Sequence, residues 1–161
     1  MPEGHLRQNG ERMGIWSKLF GRLNRVDGGE DREKNLRPAG QLLAIGYWDD
    51  ASGGKWIMPS SLVCEGWRTE DRMRICDYLR RGTRIHDDLG YSYCRLSKAI
   101  PDSEMGSASM TDGYWAWPEG LVVYVEKFSV RLPSEFVEHV VFHDYKNAAP
   151  SREAMERLCF D

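Results

Sequence analysis

Cysteine is scarce in this chain and poorly placed for either of its structural uses. The four residues, Cys64, Cys76, Cys94 and Cys159, form no CxxC pair and no dense framework. That argues against a secreted disulfide scaffold and against a zinc ribbon. Long apolar runs are also lacking. No stretch approaches the ~18 consecutive apolar residues of a membrane span, and His5, Arg7, Asn9 and Glu11 break any leader-like segment at the start. A basic excess is missing too: 22 Lys and Arg face 25 Asp and Glu, for a net charge of −3. Without a basic stripe, phosphate-backbone binding has no electrostatic footing, so nucleic acid is not an expected ligand. The expected compartment is the cytoplasm, with buried thiols acting as small apolar side chains.

Aromatic residues are abundant. Six Trp and seven Tyr lie mostly between Tyr47 and Tyr124, where they supply either a core or surface anchors for a partner. With 161 residues, 41% apolar and 29% charged, the chain has the length and composition of one globular domain. The first 40 residues read as an extension. Within Met13–Arg25 the apolar positions Ile15, Trp16, Leu19, Phe20 and Leu23 recur at helical spacing, with Lys18, Arg22 and Arg25 on other faces. Docking on the domain or a partner is favoured over a membrane surface for this segment. Residues 26–40, charged and glycine-rich, read as a linker.

From Gln41 onward the pattern predicts a single α+β domain over 41–161: a small antiparallel sheet with three or four helices packed mainly on one side. LLAIGYW and KWIM, separated by DDASGG, read as a hairpin. A helix is expected over Glu70–Arg81, capped by Thr69 and closed by Gly82, with Met73, Ile75, Cys76 and Leu79 inward. TRI and GYSYCRL read as two strands around Asp87-Asp88, and residues 98–109 as a polar loop. Met110–Trp117 reads as a strand with Asp112-Gly113 as a turn inside it. Pro118 and Pro133 suit first positions of two further helices, the second burying Phe136, Val137, Val140 and Val141. A last, weaker helix is expected from Ser151 to Leu158.

Few residues suggest chemistry. His139 and His143 stand four apart on one helical face, but HVVFH lacks the glutamate of a zincin, so surface or capping roles are expected. His86, Asp87 and Asp88 read as a solvated turn. Cys94 has no Cys-His-Asn surroundings and reads as a buried thiol.

Three segments, GYSYCRL, TDGYWAWPEGLVVYVEKF and VRLPSEFVEHV, resemble a poorly characterised family of small bacterial proteins. The likeness spans Tyr78 to about Val141. Family members read GYS-x-CR-x-CG, then TDG-x-Y-x-WPEGLAHYV-x-x-H-x-VRLP, a pattern that looks like a four-ligand zinc site. This chain keeps Cys94 but has Ser97, Val123 and Phe128 at the other three positions. One thiolate cannot hold structural zinc, so neither metal nor cofactor is expected. What persists is the frame of Tyr91, Asp112, Gly113, Trp117, Pro118, Glu119, Arg131 and Pro133.

These features favour a protein-binding module, of the type of an immunity protein that neutralises a bacterial toxin. The alternatives are a small hydrolase-type enzyme using Asp112, Glu119 or His86, and a membrane-proximal adaptor using the Ile15–Leu23 segment. Catalytic residues are not assigned. The expected partner-binding residues are Trp115, Trp117, Asp112, Glu119 and Tyr91. Trp115 and Trp117 flank Ala116, so on a strand they share one face. That face is either the core or an exposed platform.

Overall fold

A computed structural model describes residues 41–48 and 57–159. The extension 1–40, with its amphipathic segment, lies outside them, as do the turn 49–54 and the first two residues of the KWIM strand of the expected hairpin. Ile57 and Met58 are not in a strand.

The described residues form an α+β fold. In chain order the elements are β1 (Leu43–Ala44), a 3₁₀ turn (Pro59–Leu62), α1 (Arg72–Arg80), β2 (Thr83–Asp87) and α2 (Asp102–Met105). There follow β3 (Ala108–Thr111), β4 (Trp115–Pro118), α3 (Leu121–Phe128), α4 (Ser134–Phe142) and α5 (Arg152–Cys159). The sheet order is β1-β4-β3-β2. Its β2–β3 and β3–β4 pairs are antiparallel, as expected, but β1 runs parallel to β4, so the sheet is mixed. The N–H groups of Leu43 and Ile45 bond to the carbonyls of Tyr114 and Ala116, which ties one edge of β1 to β4.

The β3–β4 hairpin is the centre of the domain. All four residues of β3 and the first three of β4 are buried. Met110 lies opposite Trp117, and Thr111 opposite Ala116, so each cross-strand pair shares a face. The face bearing Trp115 and Trp117 meets Phe136 of α4, which stands edge-on to both indoles at centroid distances of 5.4 and 5.9 Å. Tyr78 of α1 closes the cluster, edge-on to Phe136 at 6.1 Å. Rings of this size dominate the apolar burial, and edge-to-face contacts suit their quadrupoles. The opposite face carries Ser109, Thr111 and Ala116, all buried, and the Tyr47 hydroxyl donates to Ser109 Oγ at 3.0 Å. Burial on both faces explains why WAW reads as a continuous apolar run instead of an alternation.

Local differences from these expectations concern α1, Gly82, α4 and the two loops. Helix α1 begins at Arg72, because the Asp71 carboxylate is held by Arg68 and by the Tyr145 hydroxyl instead of capping N–H groups. Its inward residues are Ile75, Cys76, Tyr78 and Leu79, while Met73 is half exposed. Gly82 is not a left-handed cap: a Cβ there would lie 2.6 Å from the Trp117 ring, so the position is glycine for close approach. In α4, Phe136, Val137 and Val140 are buried, but Val141 is exposed. The GYSYCRL segment is an irregular loop, and the expected polar loop before the hairpin contains α2 and leads into β3.

Candidate functional site

Two groups of side chains occupy opposite ends of the hairpin. The first is built on its turn. Thr111 Oγ1 donates to the Trp115 carbonyl at 2.6 Å and accepts from Gly113 N–H at 2.9 Å. Gly113 has φ of +90°, which a side chain would strain. Asp112 Oδ1 accepts from the N–H groups of Tyr114 and Trp115 at 2.8 and 2.6 Å. These contacts are ordinary Asx-turn chemistry. The second oxygen does something less local. Asp112 Oδ2 accepts the Tyr78 hydroxyl at 2.6 Å and faces His139 Nε2 at 3.0 Å.

The Asp112 carboxyl is 3% exposed, so an ion here needs donors on both oxygens, and it has four. Burial, reinforced by the bond to Asp112, pushes the Tyr78 phenol well above its ordinary value. For His139 burial is the larger influence and holds the imidazole below its ordinary value of 6.5, although Asp112 pulls the other way. A neutral His139 facing a carboxylate carries its proton on Nε2. Tyr114 stacks on the His139 ring at 5.1 Å, and His143 lies 4.4 Å beyond it.

At the other end, Glu119 folds back over the strand. Its N–H donates to the Ala108 carbonyl, its Oε2 accepts from Ser107 N–H at 3.1 Å, and its Oε1 lies 3.6 Å from Arg84. Gly106, with φ of +69°, passes under this carboxylate, and a Cβ there would collide with it. The Gly106 carbonyl in turn accepts Ser92 N–H at 2.9 Å. Cys94 is buried beside α3, where Arg95 N–H donates to the Tyr124 hydroxyl at 2.9 Å. Between these anchors the loop alternates: Ser92 and Cys94 turn inward, while Tyr91 and Tyr93 turn outward. Leu89 is 86% exposed, Tyr91 65% and Tyr93 49%, so three large side chains project from five residues.

The expected site residues are therefore separated. Trp115 and Trp117 are 2% and 0% exposed, which corrects the platform alternative: they are core residues and cannot anchor a partner directly. Asp112 and Glu119 hold the two ends of the hairpin, and Tyr91 alone is a surface side chain of the expected type. His86 lies 3.4 Å from Asp88 on the Glu119 side, so Asp112, Glu119 and His86 do not converge on one atom. Sequence reasoning missed Tyr78, and the surface or capping role expected of His139 is corrected: its ring is largely buried against Asp112. Each is a polar residue on the buried side of a helix, which is the available signal, but their meeting at Asp112 is a tertiary contact.

The zinc pattern implied by the family resemblance does not fit. Cys94 and Val123 belong to the apolar core and Phe128 packs against it. Among the described residues no group of three or more His, Cys, Asp or Glu side chains could hold a metal. Burial also pushes the Cys76 thiol up to about 11, away from nucleophilic use. Among the described residues no helix is long and apolar enough to cross a membrane. No family model, curated protein or solved structure matches the chain.

Proposed function

We propose that the chain is a protein-binding module of the immunity type, acting in the bacterial cytoplasm on a protein partner such as a cognate toxin. The observation that supports this reading is the loop from Leu89 to Tyr93. Its two outward tyrosines combine apolar area with few rotatable bonds, the composition of binding anchors, and Leu89 adds apolar surface beside them. Its backbone is tied down at Ser92 and Arg95, so little ordering entropy is lost on association. Asp87 and Asp88 stand exposed at its edge and suit a basic rim on the partner. The test is affinity capture from the native cell with the full chain as bait, beside Tyr91→Ala. A single stoichiometric partner is expected, with affinity reduced by ~2 kcal/mol in the variant and an unchanged melting temperature. Equal capture by both baits would overturn the assignment of the loop.

A hydrolase-type reading rests on one observation, the Asp112–His139 pair at 3.0 Å, an orientation that general bases use. It is the weaker reading: no Ser, Thr or Cys side chain bonds to His139 among the described residues, and the Asp112 oxygens are engaged by four donors. Turnover of an ester or amide substrate that is lost in His139→Gln would favour it over binding.

A further inference from the structure

A line of rings crosses the surface away from the Leu89–Tyr93 loop. Tyr114 stacks on His139 at 5.1 Å, His139 meets His143 at 4.4 Å, and Phe142 stands edge-on to His143 at 5.2 Å. The line ends in apolar surface that the fold does not cover: Phe142 is 85% exposed and Val141 beside it 43%. On the same exposed side of α4 stand Glu135 and Glu138. An exposed phenylalanine and valine flanked by two carboxylates form an acidic, apolar strip about 13 Å long, the length of a nine-residue helix.

The chain outside the described residues begins next to the other end of this line. Leu43 N–H donates to the Tyr114 carbonyl at 3.0 Å, so whatever precedes Gln41 leaves the fold beside Tyr114. Among those 40 residues is a segment complementary to the strip. Met13–Arg25 carries Ile15, Trp16, Leu19, Phe20 and Leu23 at helical spacing, together with Lys18, Arg22 and Arg25 and no acidic residue. The residues from Asn24 to Gln41 have an end-to-end distance of about 23 Å as a flexible chain, ample for a return to α4.

We infer that Met13–Arg25 docks in cis on the exposed side of α4, its apolar residues over Val141 and Phe142 and its basic residues against Glu135 and Glu138. The occupant is this chain's own extension because three independent features converge on it: the point where the chain enters the fold, the spacing of the apolar residues, and the sign of the charges. This inference does not rest on the partner-binding loop, which lies at the opposite end of the hairpin. Its consequence is that the extension covers an apolar strip that would otherwise promote association.

The test places a photo-crosslinker in the full chain at an exposed position, Phe142→p-benzoylphenylalanine, and maps the products by mass spectrometry. Cross-links to residues 13–25 at monomer mass, in a yield independent of protein concentration, are expected. Glu138→Lys should lower that yield about threefold, the scale of one or two surface charge pairs. Lys18→Glu combined with Arg22→Glu should restore it. Leu19→Asp with Phe20→Asp should abolish it while the melting transition of the domain stays cooperative. Cross-links confined to a dimer band would assign the strip to a second copy and overturn the inference. Products at monomer mass outside residues 13–25, or a yield indifferent to Leu19→Asp with Phe20→Asp, would overturn it equally.

Discussion

Replacing Asp112 with alanine removes the acceptor of four hydrogen bonds at once. The Tyr114 N–H lies at the surface and can turn to water, so its loss costs little. The Trp115 N–H, the Tyr78 hydroxyl and His139 Nε2 are at least partly buried, and each loses a bond to an ionised oxygen. Bonds of that kind contribute about 1.5–3 kcal/mol apiece. Relief from holding a carboxylate in the interior offsets part of the loss. The net expectation is a destabilisation of about 3–4 kcal/mol, a large fraction of the stability of a domain this size. Asp112→Asn should cost less, about 1–2 kcal/mol. Its amide oxygen can still receive the two backbone N–H groups, while Tyr78 rotates its hydroxyl and His139 changes tautomer to meet the new NH₂ donor. Urea unfolding followed by both tryptophan fluorescence and far-ultraviolet circular dichroism measures each value. An alanine variant within about 1 kcal/mol of the parent would refute the view that Asp112 holds the hairpin to both helices. Non-additivity between Asp112→Ala and Tyr78→Phe would locate the coupling directly.

Three further outcomes follow from the packing and electrostatics. Because His139 is held below its ordinary value, the unfolded chain takes up a proton first on acidification. This contribution is therefore fully present above about pH 6.5 and is lost as pH falls through the lower folded value. Melting temperature should drop as pH falls below about 6.5, and His139→Gln should flatten that slope; an unchanged slope would count against it. Gly82→Ala should destabilise by about 1–3 kcal/mol, since the new methyl meets the Trp117 ring, and a stabilised variant on thermal melting would refute this. Trp115→Ala should cost about 3–5 kcal/mol, whereas Trp115→Phe should cost much less, because the buried indole N–H has no hydrogen-bond partner among the described residues; equal losses in urea titrations would contradict the core assignment.

The residues that announce local structure were the legible ones. Pro133 ahead of Phe136, Val137 and Val140 marks α4, and the Asp112-Gly113 pair marks the reversal between β3 and β4. Both depend on neighbours in sequence. The parallel pairing of β1 with β4 joins Leu43 to Trp115, and no propensity in either segment encodes it. The same limit applied to the site. Trp115 and Trp117 were correctly placed on one face by their spacing, but only packing against Phe136 decides that the face is internal. Asp112 was visible as a turn residue, whereas its bonds to Tyr78 and His139 span 34 and 27 positions. Tyr91 was legible as a surface aromatic, and its neighbours Leu89 and Tyr93 emerged only when the expected strand proved to be an anchored loop.

That loop divides labour residue by residue. Ser92, Cys94 and the Arg95 backbone keep it in place, through Gly106 and Tyr124, while Leu89 and Tyr91 are largely exposed and Tyr93 is half exposed under the Arg95 guanidinium. Identity at the outward positions is thereby uncoupled from foldability. Exchange of these side chains alters the chemistry of the surface without reopening the core. A library randomised at 89, 91 and 93 alone would keep the parent's melting behaviour across most of its members, because the five-residue window is held by its backbone and inward side chains and not by its outward ones.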